Sequence, residues 1–166
     1  RFEKENNIVH NDFKGENVVI AKNFSLKVID FAEAIDLENK NNVSSHNRAV
    51  TLPYTAPEVI HDHAKAVSQS DVFSLSHISY NALTPGKKLL GSKRSSHNKL
   101  SLRYQNNSYK ILPVLDSLKL HGPKFIIKYF YIVMMMGLCV EPNKRIQPED
   151  LCIFYNDGMI FCEKTF

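Results

Sequence analysis

The chain has 166 residues, 43% apolar and 23% charged, with a formal net charge of +4 and seven histidines. That length and composition suit one globular domain with a real core, and the mildly basic balance favours phosphate-bearing or acidic partners. Cys139, Cys152 and Cys162 are odd in number and lack CxxC spacing, which excludes a disulfide framework or zinc ribbon and fits a reducing compartment.

Residues 1–7 read as the polar end of a preceding helix. The chain starts at Arg1, with no initiator methionine and no signal-peptide pattern, so the expectation is a piece of a longer intracellular protein, cytoplasmic or nuclear. Val18–Ile20 and Leu26–Ile29 are short apolar runs separated by "AKNFS", the spacing of a small β-hairpin. Residues 36–49 are polar, rich in Asn and Ser and without period, and read as a long loop. "SDVFSLSHISYNALTPG" (70–86) predicts a helix with Ser70 as its cap, Asp71 complementing its dipole and Pro85-Gly86 stopping it. Residues 87–110 carry Lys87, Lys88, Lys93, Arg94, Lys99, Arg103 and Lys110 with no acid among them. "FIIKYFYIVMMMGLCV" (125–140) is too short to span a bilayer and is interrupted by Lys128, so a buried core helix over 124–139 is expected, with Met134 to Met136 packing in it. "QPEDLCIFY" (147–155) starts a last helix with Pro148 in its first turn. The fold expected is mainly α with one small β-hairpin.

The polar stretch "HNDFKGEN" (10–17) runs directly into the first strand. In an antiparallel hairpin the start of one strand lies about 5 Å from the end of the other. Asn17 and Asp30 should therefore meet at the open end, where an amide oxygen and a carboxylate suit Mg²⁺. Asp12 and Lys14 reach the same rim, one able to accept a hydroxyl proton and the other to neutralise a moving phosphoryl group. A base, a cation and a metal site in one turn make a candidate phosphoryl-transfer centre.

These segments resemble the motif set of eukaryotic-type protein kinases. "HNDFKGEN" is similar to the catalytic loop, "VIDFAEA" to the D-F-G segment, and "YTAPEVI" to the A-P-E segment. "SDVFSLSHISYNALTPGKKLL" is similar to the long central helix, and "CVEPNKRIQPEDL" to the C-terminal D-P-x-x-R segment. The match runs in order from about residue 8 to residue 151, so that 1–166 resembles the C-terminal lobe of such a domain, α+β once an N-terminal lobe is included. The resemblance implies transfer of the γ-phosphate of ATP to Ser or Thr of a protein substrate. Asp12 would be the proton acceptor, Lys14 the γ-phosphate contact, and Asn17 and Asp30 the Mg²⁺ ligands. Thr51 would bond back to Asp12 and Lys14 and, with Lys14, favour Ser/Thr acceptors. Glu58 and Arg145 would form a buried ion pair, Asp71 would accept backbone N–H bonds from the catalytic loop, and His10 would pack beneath it. The "HND" form amid high Asn and Lys is similar to kinases of large DNA viruses, which would place the protein in a host cell.

Four positions depart from the pattern. Asn11 stands where arginine is usual, Ala32 where glycine is usual, and Ser76 and Val50 also replace usual glycines. No G-x-G-x-x-G loop and no V-A-I-K lysine occurs in the 166 residues, so this polypeptide alone is expected to be inactive. The alternative is a pseudokinase or docking module using the fold as a binding platform. The basic run at 87–110 reads as a solvated face, with docking of acidic substrates as the alternative. Only Tyr104 and Tyr109 interleave it, so a nucleic-acid partner is not favoured. His61 and His63 read as solvated rather than metal-binding. Ser44, Ser45 and Thr51 are candidate phosphorylation sites of no special distinction.

Overall fold

A computed structural model describes residues 7–23, 25–39, 51–52, 54–62, 65–83 and 124–154. The expectations for residues 1–6, Ser44, Ser45, Val50, His63, the Pro85-Gly86 stop, the basic run and Cys162 lie outside these residues.

Strands β1 (Ile8–Val9), β2 (Val18–Ile20), β3 (Leu26–Val28) and β4 (Ile35–Asp36) form two antiparallel ribbons, β1–β4 and β2–β3. The β2–β3 hairpin has the expected runs, paired Val18↔Val28, Val19↔Lys27 and Ile20↔Leu26. At its closed end Asn23 Oδ1 accepts both the backbone N–H and the hydroxyl of Ser25, the local bonding that makes Asn a turn residue. The β1–β4 ribbon corrects the reading of residues 36–49 as loop from their start, because Ile8 pairs with Asp36 and Val9 with Ile35. Two-residue strands carry no alternation to detect; the pairing forms because Val9 and Ile35, 0% and 2% exposed, both bury their side chains in the core.

The core is helical on its other side. Helix α1 (Pro57–His61) opens with proline, whose fixed φ suits the first turn. Helix α2 (Ser68–Leu83) contributes Phe73 and Tyr80, and α3 (Lys124–Gly137) contributes Met134. These pack with Val9, Ile35, Val59 and Leu138 in one cluster. A second cluster joins Val72 and Val133 to Ile146 and Leu151, the last in a helix over 148–154, here α4. Pro148 begins α4 as expected.

Two local expectations change. Ser70 does not cap α2, which begins at Ser68; instead its hydroxyl accepts Val67 N–H at 3.1 Å and donates to Glu58. The side chain thus reaches back from the first turn to the residue before the helix, as the second residue of a capping box does. Of the three methionines only Met134 belongs to the core, while Met136 is 39% exposed. A 3.6-residue period cannot turn three consecutive side chains inward.

Helices α2 and α3 meet at Ser76 and Gly137. A Cβ on Gly137 would lie 2.9 Å from Ser76 Cβ and closer still to its hydroxyl. The extra atoms of Ser76 are thus accommodated by the absence of a side chain across the crossing, and the Ser76 hydroxyl is buried without a hydrogen-bond partner among the described residues. No helix among the described residues is long and apolar enough to cross a membrane. Cys139 and Cys152 are free thiols.

Candidate active site

The loop between β1 and β2 is fastened from beneath by α2. Asp71, in the first turn of α2, accepts His10 N–H at Oδ2 (2.6 Å) and Asn11 N–H at Oδ1 (3.0 Å). A buried carboxylate receiving two backbone N–H groups is satisfied by charge-assisted bonds and sits at the positive end of its own helix dipole. Asn11 adopts φ 64°, a left-handed conformation that asparagine tolerates better than most residues. His10 is fully buried. Its Nδ1 accepts Asp12 N–H (3.3 Å), leaving Nε2 to donate to Ile29 O (3.0 Å). The ring also packs against Phe13 and Phe31. One imidazole therefore joins the loop to the end of β3.

Above this floor four side chains converge. Lys14 Nζ donates to Asp12 Oδ2 (2.5 Å) and to Thr51 Oγ1 (3.1 Å). Asn17 ends a 3-10 turn over Gly15–Asn17, and its amide nitrogen donates to Asp12 O (3.0 Å) and Asp12 Oδ2 (3.3 Å). The side chains of Asp12 and Lys14 are 11% and 20% exposed. They are thus half-sheltered yet open to an incoming molecule, and an ion pair screened from bulk water holds its geometry better than a surface one.

Asp30 enters through the backbone. Ile29 N–H donates to Asn17 O at 2.9 Å, extending the β2–β3 ladder by one bond, so that Ile29 lies across from Asn17 and Asp30 one residue past that pair. Asp30 takes φ 64°, is exposed, and accepts Ala32 N–H at 3.4 Å. Directly bonded side chains are therefore Asp12, Lys14, Asn17 and Thr51; Asp30 is tied to the group by main chain. Because the Asn17 nitrogen is occupied at Asp12, its oxygen is the atom left for a ligand. An amide oxygen and an exposed carboxylate are hard donors that fit Mg²⁺, which usually keeps several waters. Among the described residues no group of three or more His, Cys, Asp or Glu gathers into a closed metal cage.

Away from the rim, Glu58 on α1 and Arg145 form a bidentate pair, with both N–O distances 2.7 Å. The remaining Arg145 donors reach Cys139 O (2.7 Å), Gln69 O (2.9 Å) and Val140 O (2.9 Å). All five guanidinium N–H groups are thereby used, the condition under which a buried charge is tolerated. Its carbon lies 5.0 Å from the Phe73 ring centre, and Ser70 donates to Glu58 Oε1 at 2.7 Å. Sequence reasoning named Ser70 only as a cap of α2 and missed its bond to Glu58, and it missed Phe73 and these carbonyls, which carry no signal of their own. It also missed the buried His77, whose ring lies 5.2 Å from that of Tyr54 just before α1. On α3, burial and then the neighbouring Tyr80 raise the Tyr131 hydroxyl above its ordinary range.

Comparison with known proteins adds a family. The family described as protein kinase domain matches residues 2–153. The serine/threonine-protein kinase AtPK1/AtPK6 of Arabidopsis thaliana is 28% identical over 144 residues, 86% of this chain and 27% of that protein. A probable cell division protein kinase of Encephalitozoon cuniculi is 27% identical over 146 residues, 87% of this chain and 52% of that protein. The membrane-associated tyrosine- and threonine-specific cdc2-inhibitory kinase wee-1.3 of Caenorhabditis elegans is 37% identical over 70 residues, 42% of this chain and 10% of that protein. The chain spans from about a tenth to about half the length of the curated relatives it matches.

Proposed function

The chain belongs to the protein kinase domain family, and from that premise we propose that it is the catalytic part of a kinase that phosphorylates Ser or Thr in proteins. The observation that carries this reading is the shared ammonium: Lys14 Nζ bonded to both the Asp12 carboxylate and the Thr51 hydroxyl, with Asn17 on the same carboxylate. Asp12 is placed to receive the proton of an acceptor hydroxyl, and a carboxylate held by two fixed donors keeps its orientation while it does so. Lys14 neutralises charge on the group in transit. Asn17 and Asp30 are the residues that would hold Mg²⁺, and bound Mg²⁺·ATP would supply the phosphoryl group and charge compensation. Thr51 steadies Lys14, while His10 and Asp71 keep the loop from moving under load. Positioning of this kind is most of what phosphoryl transfer asks of a protein.

Thr51 and Lys14 support Ser/Thr acceptors, and the Lys/Arg run at 87–110 supports acidic ones. A second reading, a binding platform without catalysis, is favoured by Asn11 and Ala32 standing where arginine and glycine are usual in the family. The test is phosphate transfer by the full-length protein with Mg²⁺·ATP and peptides offering Ser, Thr or Tyr in acidic and neutral contexts. Transfer to Ser/Thr that falls at least about a hundredfold in Asp12→Asn supports catalysis. Full-length protein that binds Mg²⁺·ATP equally well after Asp30→Asn, with no transfer, supports the platform. The 166 residues alone, which contain no Gly-rich phosphate loop, should show no transfer.

A further inference from the structure

Residues 7–11 and 29–38 run alongside one another and touch along the whole length. The His10 ring takes Ile29 O at Nε2 (3.0 Å) and lies 4.8 Å from the Phe31 ring. Asn11 Nδ2 donates to Glu33 O at 3.4 Å, and Val9 and Ile8 pair with Ile35 and Asp36. Asn7 O accepts Leu37 N–H (2.8 Å), and Asn7 Nδ2 donates to Glu38 Oε1 (2.7 Å). Asp30 lies inside this ribbon, followed by a tight turn that Ala34 N–H closes on Phe31 O at 3.1 Å.

Two side chains bias that turn. Asn11 holds φ 64° with its own N–H on Asp71, and so presents its amide to Glu33. It is bonded at once to α2 and to the middle of the turn. Among the described non-glycine residues only Asn7, Asn11 and Asp30 have positive φ. Ala32 therefore occupies ordinary backbone space, and its Cβ costs nothing in this arrangement. The same Cβ penalises every alternative in which residue 32 turns left-handed, alternatives that glycine would leave open.

We propose that Asn11 and Ala32 are positioning residues that hold the Asp30 carboxylate in a single placement beside the Asp12 loop, so that the site is preset and is not assembled by rearrangement of residues 30–34. The inference deepens the kinase reading and rests on it only for the role of Asp30 as a metal ligand. Residues 7–11 act as one jaw and Ala32 removes the slack in the other.

Amide hydrogen exchange on the full-length protein tests it, since exchange reports rare openings that an affinity measurement would miss. Ala32→Gly should speed exchange of the amides of residues 31–36 by roughly two- to fivefold, the effect of restoring glycine freedom. Asn11→Gly, which keeps the left-handed φ but deletes the amide, should speed the same amides, whereas Asn11→Asp, with an acceptor facing Glu33 O, should do so at least as strongly. In all three variants the α2 amides should keep their protection. Unchanged exchange at 31–36 in both glycine variants, or acceleration spread equally into α2, would overturn the proposal. A separate arm adds Mg²⁺·ATP to the wild type. Protection gained at 30–34 supports Asp30 as a ligand of the bound metal, while the variant arms test whether its placement is preset. If the variants loosen the turn while Mg²⁺·ATP leaves it unchanged, the clamp stands and the metal reading of Asp30 falls.

Discussion

Removing Arg145 should unfold the helical core more readily than any surface change. In Arg145→Leu the Glu58 carboxylate, only 10% exposed, loses both of its 2.7 Å charged donors and keeps Ser70 alone. Breaking a buried pair from one side typically costs about 3–5 kcal/mol. Three carbonyls, those of Gln69, Cys139 and Val140, lose their donor at the same time, and each buried group left unmade adds about 1–3 kcal/mol unless water replaces it. A loss of about 4 kcal/mol or more is therefore expected. With a urea slope of roughly 1–3 kcal/mol/M, the unfolding midpoint should fall by more than about 1 M. Circular dichroism across a urea series measures it, and a double-mutant cycle with Glu58→Gln separates the pair from the carbonyl contacts. Arg145→Lys should recover only part of the loss, because three donors on a point charge cannot serve five directions. A loss below about 1 kcal/mol, the range of exposed pairs, would refute the reasoning: the pair would then be wet and the five bonds ornamental.

Other outcomes are equally direct. Gly137→Ala should destabilise by about 1–3 kcal/mol through overpacking against Ser76, and Ser76→Gly in the same protein should restore part of the lost melting temperature; an additive double variant would contradict the contact. Ile35→Ala, at a position 2% exposed in the β1–β4 ribbon, should cost about 2–5 kcal/mol in denaturant titration. Thr51→Ala removes the 3.1 Å hold on Lys14 and should lower kcat of the full-length protein about tenfold and its melting temperature by a few degrees, with Thr51→Ser near wild type in both, since a hydrogen bond to a charged group is worth about 1.5–3 kcal/mol.

The hairpin was legible because its signal is local: two apolar runs, a turn of suitable length, and polar residues at the mouth. α2 was legible from its period and α3 from its long apolar run, although the start of α2 was not. Ser70 looks like a cap in sequence because Ser before an apolar run usually is one; Glu58 and Val67 draw its hydroxyl to another task. The β1–β4 ribbon had no comparable signal. Two residues cannot show alternation, and the strands owe their pairing to burial against helices that come later in the chain. The convergence of Asp12, Lys14, Asn17 and Thr51 was expected from motif resemblance, but its geometry, with one ammonium shared between carboxylate and hydroxyl, depends on a residue 37 positions away.

Sequence by itself determined which groups this protein can bring to chemistry: a carboxylate and an ammonium before a strand, an amide at its start, a second carboxylate past the next strand. Tertiary structure decided which of them are held and by what. Asp71 seats the loop, His10 bridges it to β3, Asn11 reaches the turn after Asp30, and Ser76 fits only because Gly137 faces it. The reason is the range of the forces. Turn chemistry and helical period act over a few residues and are written in neighbouring letters, whereas a buried polar group accepts any partner that geometry supplies, however distant along the chain.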